Sequence, residues 1–128
     1  MSIMNKPYWF ERDRTSKGIT YRESDGMYVV TDHDGLDFGW FVVPYGFESD
    51  GDTMPELVRA FWDTEGLRDI RILVAIGHDF LYKTKCVSRR EADMFYRETL
   101  IQLGFPDWRA YVEWFWIRAL GWWCWYLR

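Results

Sequence analysis

The sequence predicts one α+β domain over residues 1–128, with an N-terminal antiparallel three-stranded meander followed by a bundle of three to four helices. Three observations predict it. The first third consists of short β-rich runs separated by turn signals. The remainder carries helix-capping patterns ahead of apolar segments with helical spacing. The composition, 48% hydrophobic and 28% charged, is typical of a globular domain that buries one core.

The strands are predicted from runs rich in β-branched and aromatic residues. They span residues 19–23, 27–32 and 37–43. The turn signals between them are the segments 24–26 and 34–35, each of which ends in glycine. Such short connections favour antiparallel neighbours, and Pro44 ends the ladder because proline has no N–H to donate.

Helices are predicted in the rest of the chain. The segment Thr53-Met54-Pro55-Glu56 is a capping box and predicts a short helix with an apolar face of Leu57, Val58, Phe61 and Trp62. A buried central helix follows over residues 67–82. Ser88 and Glu91 form a second capping box for a helix over 88–103, with Gly104 as its C-cap. Its predicted core face is Ala92, Phe95, Tyr96, Thr99 and Leu103. A last helix opens at Pro106-Asp107 and runs to the C-terminus.

Charge and cysteine content exclude several protein classes. The net charge is −4 and no basic run is longer than Arg89–Arg90, so we expect no nucleic-acid partner. Cys86 and Cys124 are too few and too far apart for a disulfide framework or a cysteine zinc site. No signal peptide and no apolar run of about 18 residues is present, so we expect no membrane span. The expected compartment is the cytoplasm.

Ionisable residues interrupt two of the apolar helical patterns. His78 and Asp79 lie near the end of the central helix, and Asp93 lies in the next helix. A short loop makes these helices antiparallel neighbours, which would bring Asp93 near His78. Asp50 and Asp52, in a glycine-containing loop, would close the set.

Two chemical roles suit this group. A histidine held by a carboxylate is a general base that activates water. Asp79 with Asp50 or Asp52 and loop carbonyls would form an all-oxygen site for calcium or magnesium. Zinc fits less well, because the second histidine, His33, falls in a hairpin turn. The alternative is structural: the His–Asp pair is a buried hydrogen bond, and the loop carboxylates cap the following helix.

Three segments together resemble the family known as domain of unknown function 1353, which is typically encoded in phages and prophages. They are VPYGFESDGDTMP at 43–55, HDFLY at 78–82 and SRREAD at 88–93. The family pattern has serine where this chain has Thr53, and small apolar residues at the Gly51-Asp52 position. The resemblance implies a phage protein, located in the host cytoplasm or in the virion.

A second resemblance bears on chemistry. The histidine–aspartate helix is similar to that of phospholipase A2 enzymes, whose "HD-x-x-Y" motif follows a calcium loop and precedes a helix that supplies an aspartate. The resemblance implies that His78 is the base, Asp79 a calcium ligand and Asp93 the orienting carboxylate. Tyr82 would line the site, and the loop from Asp50 to Thr53 would lie beside the calcium. The disulfide cysteines of those enzymes are absent here.

The C-terminal segment is unusually aromatic, with six of the nine tryptophans lying between Trp108 and Trp125. This is more than one small core absorbs. The residues predicted to face the core are Trp108, Val112, Phe115 and Ala119. Those predicted to bind a partner are Trp116, Trp122, Trp123 and Trp125. The partner is predicted to be another phage protein or a second copy of the chain, with a membrane surface as the alternative.

Two functions therefore compete. The first is a phage-encoded, metal-dependent hydrolase acting on an ester of a lipid or cell-envelope component. The second is a non-catalytic virion or assembly protein, for tail or head completion, whose tryptophan-rich helix docks on a neighbour. They differ in whether His78 serves an open site or only holds the core together.

Overall fold

The computed structural model describes residues 18–49 and 67–127. Within these ranges the chain forms five short strands and three helices. The strands are β1 (Ile19–Arg22), β2 (Met27–Val30), β3 (Leu36–Asp37), β4 (Val42–Val43) and β5 (Glu48–Ser49). The helices are α1 (Leu67–Thr84), α2 (Arg89–Gln102) and α3 (Asp107–Leu127). The α+β prediction, with an antiparallel three-stranded sheet ahead of a helical bundle, is confirmed.

The third strand of that sheet is not the predicted one. The sheet has the order β1-β2-β5, with Ile19 opposite Val30 and Tyr28 opposite Ser49. The run 37–43 was predicted to be one strand but folds back on itself as the β3–β4 hairpin. Gly39, at φ +99°, makes this reversal, because a residue with a side chain rarely adopts that conformation. The vacant edge of β2 is taken by β5, which was predicted to be loop.

The helix boundaries follow the capping chemistry of the sequence. Ser88 accepts a hydrogen bond from the Glu91 backbone N–H, and the Glu91 side chain accepts one from Ser88 N–H. At the other end, Gly104 at φ +116° and the bond from Phe105 N–H to the Leu100 carbonyl form a Schellman turn. Only three residues, 85–87, separate the end of α1 from this N-cap, so α1 and α2 pack as antiparallel neighbours.

The core lies between the sheet residues and the inner faces of the helices. The predicted apolar residues of α1 between Ile70 and Ile76 are all buried. Arg71, which lies among them, is buried as well. The five residues predicted to form the core face of α2 are also buried. The short helix predicted after Thr53 lies outside the described residues. None of the described helices is long and apolar enough to span a membrane.

Candidate active site

The candidate site lies where α1 and α2 face each other. On α1, His78 and Tyr82 are one helical turn apart and present their rings to the same side, with centroids 4.3 Å apart. On α2, Asp93 lies opposite them. All three residues are at least 99% buried, so their polar atoms must find partners inside the protein.

Asp93 is the centre of this arrangement. Its Oδ1 lies 2.7 Å from His78 Nε2 and accepts a hydrogen bond of 2.5 Å from the Tyr82 hydroxyl. Its Oδ2 accepts one of 2.8 Å from Arg118 Nη1 on α3, and Arg89 Nε lies 3.8 Å away. A carboxylate so surrounded by donors and positive charge is stabilised in the core. The predicted meeting of His78 and Asp93 is therefore present.

The two arginines beside Asp93 were not predicted from the sequence. Arg118 lies 25 positions after Asp93 on a different helix, and Arg89 precedes Asp93 by one helical turn. Arg89 also donates to the backbone carbonyls of Ile117 and Arg118, which holds α3 against the start of α2. One signal was available: a carboxylate predicted inside the core requires a cation, and Arg118 is one of only two cations in the aromatic helix α3, the other being Arg109.

Tyr82 has a defined protonation state. Burial raises the pKa of its hydroxyl far above its ordinary value, and the hydrogen bond to Asp93 raises it further, because an ionised phenol would repel that carboxylate. Tyr82 therefore donates to Asp93 throughout the neutral range. This holds the carboxylate in place beside the imidazole of His78.

The other ring nitrogen of His78, Nδ1, is not held by a carboxylate of the described residues. Within the part of the chain that the structure describes, Nδ1 has no hydrogen-bond partner, although it is buried. A neutral imidazole that donates from Nε2 to a carboxylate leaves Nδ1 as an acceptor with a free lone pair. The ring is thus oriented from one side and able to accept a proton on the other.

Asp79, the residue after His78 on α1, lies beside a lysine. It is buried, and its Oδ2 lies 3.6 Å from the ammonium of Lys83. The same ammonium donates to the backbone carbonyl of Glu48, at the start of β5, over 3.1 Å. Two oxygen atoms from separate elements thus face one cation. Asp50, Asp52 and Thr53, the other predicted members of a metal site, lie outside the described residues.

The described residues do not by themselves form a metal site. Among residues 18–49 and 67–127, no group of three or more His, Cys, Asp or Glu side chains is placed to hold a metal ion. His33 is exposed in its turn, as predicted, and stacks on Tyr45. The calcium or magnesium site stays a prediction.

Helix α3 approaches the site through a glycine. A Cβ on Gly121 would lie 2.7 Å from the Tyr82 hydroxyl oxygen, closer than real Cβ contacts. Trp125, one turn later, packs edge-on against the Tyr82 ring with centroids 5.1 Å apart. The absence of a side chain at position 121 is thus what lets α3 cover Tyr82.

A third buried acid, after Asp93 and Asp79, lies on the inner face of α3. Glu113 is 1% exposed and accepts a hydrogen bond of 2.7 Å from the Tyr96 hydroxyl. The Tyr96 ring in turn packs edge-on against His78, with centroids 5.2 Å apart. Glu113 was not predicted as a buried residue, because in the sequence it is an isolated charge in an aromatic helix.

The prediction for the core face of α3 was wrong. Trp108 and Phe115 are more than half exposed, Ala119 is exposed and Val112 is only half-buried. The residues that face the core are instead Ala110, Glu113, Ile117 and Gly121. The inner face was hidden in the sequence because it combines small residues with an acid, whereas the large aromatic residues lie outside.

The four predicted partner-binding tryptophans divide into two pairs. Trp122 and Trp123 are exposed on α3 and pack edge-on against each other. Trp116 and Trp125 are half-buried and pack against the core. Only the first pair is fully placed to meet a partner.

The chain matches a known protein family. The model of a family described as protein of unknown function (DUF1353) matches residues 24–117. The match includes His78, Asp79, Tyr82 and Asp93 and ends one residue before Arg118. No curated protein and no solved structure is significantly similar to the chain.

Proposed function

Because the chain belongs to the DUF1353 family, whose function is not described, its activity has to be inferred from the site, and we propose a metal-dependent hydrolase in which His78 activates water. One observation carries the proposal. The imidazole is fixed through Nε2 by Asp93, while Nδ1 has no hydrogen-bond partner among the described residues. A base oriented by a third group is the arrangement that general-base catalysis requires.

The proposed reaction is hydrolysis of an ester. His78 Nδ1 takes a proton from water as the water oxygen bonds to the carbonyl carbon. The positive charge that forms on the imidazole is stabilised by Asp93, whose position is fixed by Tyr82 and Arg118. The bond to the leaving alkoxide then breaks, and the imidazolium returns the proton to that oxygen. The base is thereby regenerated.

The proposed cofactor is calcium, with magnesium as the alternative. The support is the pair of oxygen atoms, on Asp79 and the Glu48 backbone, that already face the ammonium of Lys83. Lys83 is 38% exposed at its side chain and can leave for solvent. A divalent cation bound there would supply positive charge for an ester carbonyl oxygen. Asp50 and Asp52 are the proposed additional ligands.

The proposed substrate is an ester of a lipid or a cell-envelope component, and the proposed origin is a phage. The support for the substrate is the HD-x-x-Y pattern at 78–82 together with an aspartate from the next helix. These two features are the ones by which the sequence resembles phospholipase A2 enzymes. The support for the origin is the resemblance of the segments 43–55, 78–82 and 88–93 to a family typically encoded in phages. The proposed compartment is the host cytoplasm.

A chemical modification experiment tests whether His78 can act. The chain has only two histidines, so exposed His33 is an internal reference. We expect diethyl pyrocarbonate to modify both in the folded protein, with Asp93→Asn changing the rate at His78 and leaving His33 unaffected. Mass spectrometry of peptides measures both rates. Modification of His78 only after unfolding in urea would contradict a catalytic role.

Activity and metal binding form the second test. With micellar short-chain phosphatidylcholine and calcium, we expect His78→Gln to lower the rate about 10²- to 10⁴-fold, the usual contribution of a general base. His33→Gln is the matched control and should keep the wild-type rate. Calcium at a hundredfold excess over its dissociation constant should stabilise wild type by roughly 2.7 kcal/mol. Asp79→Asn should lose that stabilisation.

A second function has an observation in its favour. His78, Asp93 and Tyr82 are at least 99% buried, which is also what a purely structural polar cluster requires. In that case the chain is a virion or assembly component whose exposed tryptophans dock on a neighbour. Calcium would then give no stabilisation, and His78→Gln would lower stability without any associated activity to lose.

A further inference from the structure

The outer face of α3 presents a continuous apolar stripe to solvent. We define the aromatic stripe by its six exposed residues, namely Trp108, Tyr111, Phe115, Ala119, Trp123 and Tyr126. Their spacing of three or four residues places them along one side of the helix. None of them is charged, and the five aromatic residues are between 50% and 74% exposed. From Trp108 to Tyr126 the stripe is roughly 27 Å long at 1.5 Å per residue.

The size of the stripe suits an interface between two proteins. An aromatic side chain can bury 150–250 Å², so five residues exposed to this degree offer roughly 600 Å². A standard interface buries about 800 Å² on each partner. The stripe therefore provides most of the area that one partner buries in a standard interface, and the exposed Trp122 at its edge adds more.

The order of residues in the stripe is nearly the same in both directions. Counted from Ile117, Trp108 and Tyr126 are nine positions away on opposite sides, and Tyr111 and Trp123 are six. Ile117 itself faces the core and only marks the midpoint of the stripe along the helix. Two antiparallel copies of α3 that pack through the stripe, with their two-fold axis at this level, would therefore place aromatic rings opposite aromatic rings. We propose that the aromatic stripe is covered by a second copy of this chain, packed as an antiparallel, two-fold symmetric helix pair.

The centre of the stripe fits this arrangement best. Phe115 and Ala119 are two positions either side of Ile117, so each Phe115 lies opposite the partner's Ala119. A large side chain then enters the space left by a small one, which is how helix pairs interdigitate. A parallel pair would instead place Phe115 against Phe115 and leave a gap between the alanines. The stripe residues carry no charge themselves, but the guanidinium groups of Arg97 and Arg109 lie over the rings of Tyr111 and Trp108. An antiparallel pair places these ends of the two helices apart, so the two copies do not repel each other.

Sedimentation of the full chain tests the oligomeric state. We expect a monomer–dimer equilibrium with a dissociation constant that is roughly micromolar, the weak end for interfaces near this size. Phe115→Glu should weaken the dimer at least about tenfold, because it buries a charge at the centre. Trp40→Lys is the matched control, since Trp40 is 57% exposed but lies on the β3–β4 hairpin. It should leave the equilibrium unchanged.

A charge-pair experiment tests the antiparallel geometry. Phe115→Glu and Ala119→Lys should each impair dimerisation when present alone. Mixed together, the two variants should form a heterodimer of near wild-type affinity. That heterodimer contains one Glu–Lys pair and one native Phe–Ala pair across the two-fold axis. Circular dichroism confirms that each variant remains folded, which is expected because both positions are exposed.

Two outcomes would overturn the proposal. A monomer at all concentrations up to roughly 100 µM, well above the range that such an interface supports, would leave the stripe to another partner. A wild-type dimer that Phe115→Glu does not weaken, or variants that fail to rescue each other, would exclude the antiparallel pair. These results are independent of the hydrolase, because the stripe residues are exposed on the outer face of α3, whereas Asp93 is buried between α1 and α2.

Discussion

The α1–α2 interface and the outer face of α3 reverse the usual distribution of residues in a small domain. At the interface, a histidine, an aspartate and a tyrosine are buried and joined by hydrogen bonds. On the outer face of α3, large aromatic rings are exposed, while an acid from the same helix lies inside. In these two regions, whether a side chain is buried depends on its contacts with other residues of the protein and not on its polarity. Asp93 is buried because three hydrogen-bond partners and the nearby Arg89 charge surround it.

The largest effect should come from removing the carboxylate at the interface. Asp93→Ala leaves the donors on Arg118, Tyr82 and His78 without their acceptor and removes the charge opposite Arg89, and we expect a loss of about 3–5 kcal/mol in the free energy of unfolding. Glu98→Ala, on the exposed side of the same helix, is the control and should stay within about 0.5 kcal/mol. Urea unfolding measures both. Equal effects would mean that the Asp93 cluster contributes nothing to stability.

A smaller effect is expected at the contact between the two regions. Gly121→Ala places a Cβ against the Tyr82 hydroxyl. The hydroxyl cannot move away without breaking its hydrogen bond to Asp93. We expect a cost of about 1–3 kcal/mol, typical of overpacking. In a Tyr82→Phe background the hydroxyl is gone, and the same change should become neutral or stabilising by up to about 1 kcal/mol. A cost that persists in both backgrounds would show that the hydroxyl is not the obstacle.

The next effect concerns pH. Tyr82→Phe should cost about 1.5 kcal/mol near neutral pH, because Asp93 loses one of its donors. The pKa of Tyr82 is raised in the folded protein, so its contribution is complete below the unfolded value of about 10 and is lost as pH rises above it. The difference between wild type and Tyr82→Phe should therefore shrink above pH 10. Unfolding free energies at several pH values check this, and a constant difference would contradict it.

The smallest effect is expected on the outer face. Phe115→Glu, studied at a concentration where the protein is monomeric, should change the free energy of unfolding by no more than about 0.5 kcal/mol. Phe115 is 62% exposed and loses few core contacts. The matched change at the inner face, Ile117→Glu, should instead be severely destabilising, because Ile117 is buried. Similar losses at both positions would remove the distinction between the two faces.

Much of the fold was predictable because local chemistry sets it. The Ser88 capping box, the Gly104 turn and the apolar spacing of α1 and α2 each depend on residues close together in sequence. The pairing of His78 with Asp93 followed from the short loop between two helices. The exchange of β5 for the predicted third strand did not follow, because strand pairing depends on non-local contacts.

The main error in the prediction from sequence was the choice of the face of α3 that packs on the core, and this error has a physical cause. Helical spacing identifies two opposite faces, and hydrophobicity normally selects the inner one. Here the outer face is the more apolar, while the inner face holds Glu113 and Gly121. Their partners, the hydroxyls of Tyr96 and Tyr82, lie on other helices. The arginines around Asp93 were missed for the same reason, since a contact between helices leaves little trace in either one alone.

Gly121 has a consequence for the surface as well as for the interior. Because the helix can approach Tyr82 only where it lacks a side chain, this position sets the rotation of α3 about its own axis. Neighbouring residues are about 100° apart around a helix. A change that forced α3 to rotate by one position would bury part of the aromatic face and turn Glu113 towards solvent. A single buried hydrogen atom in place of a methyl group thus determines which rings the molecule shows to its surroundings.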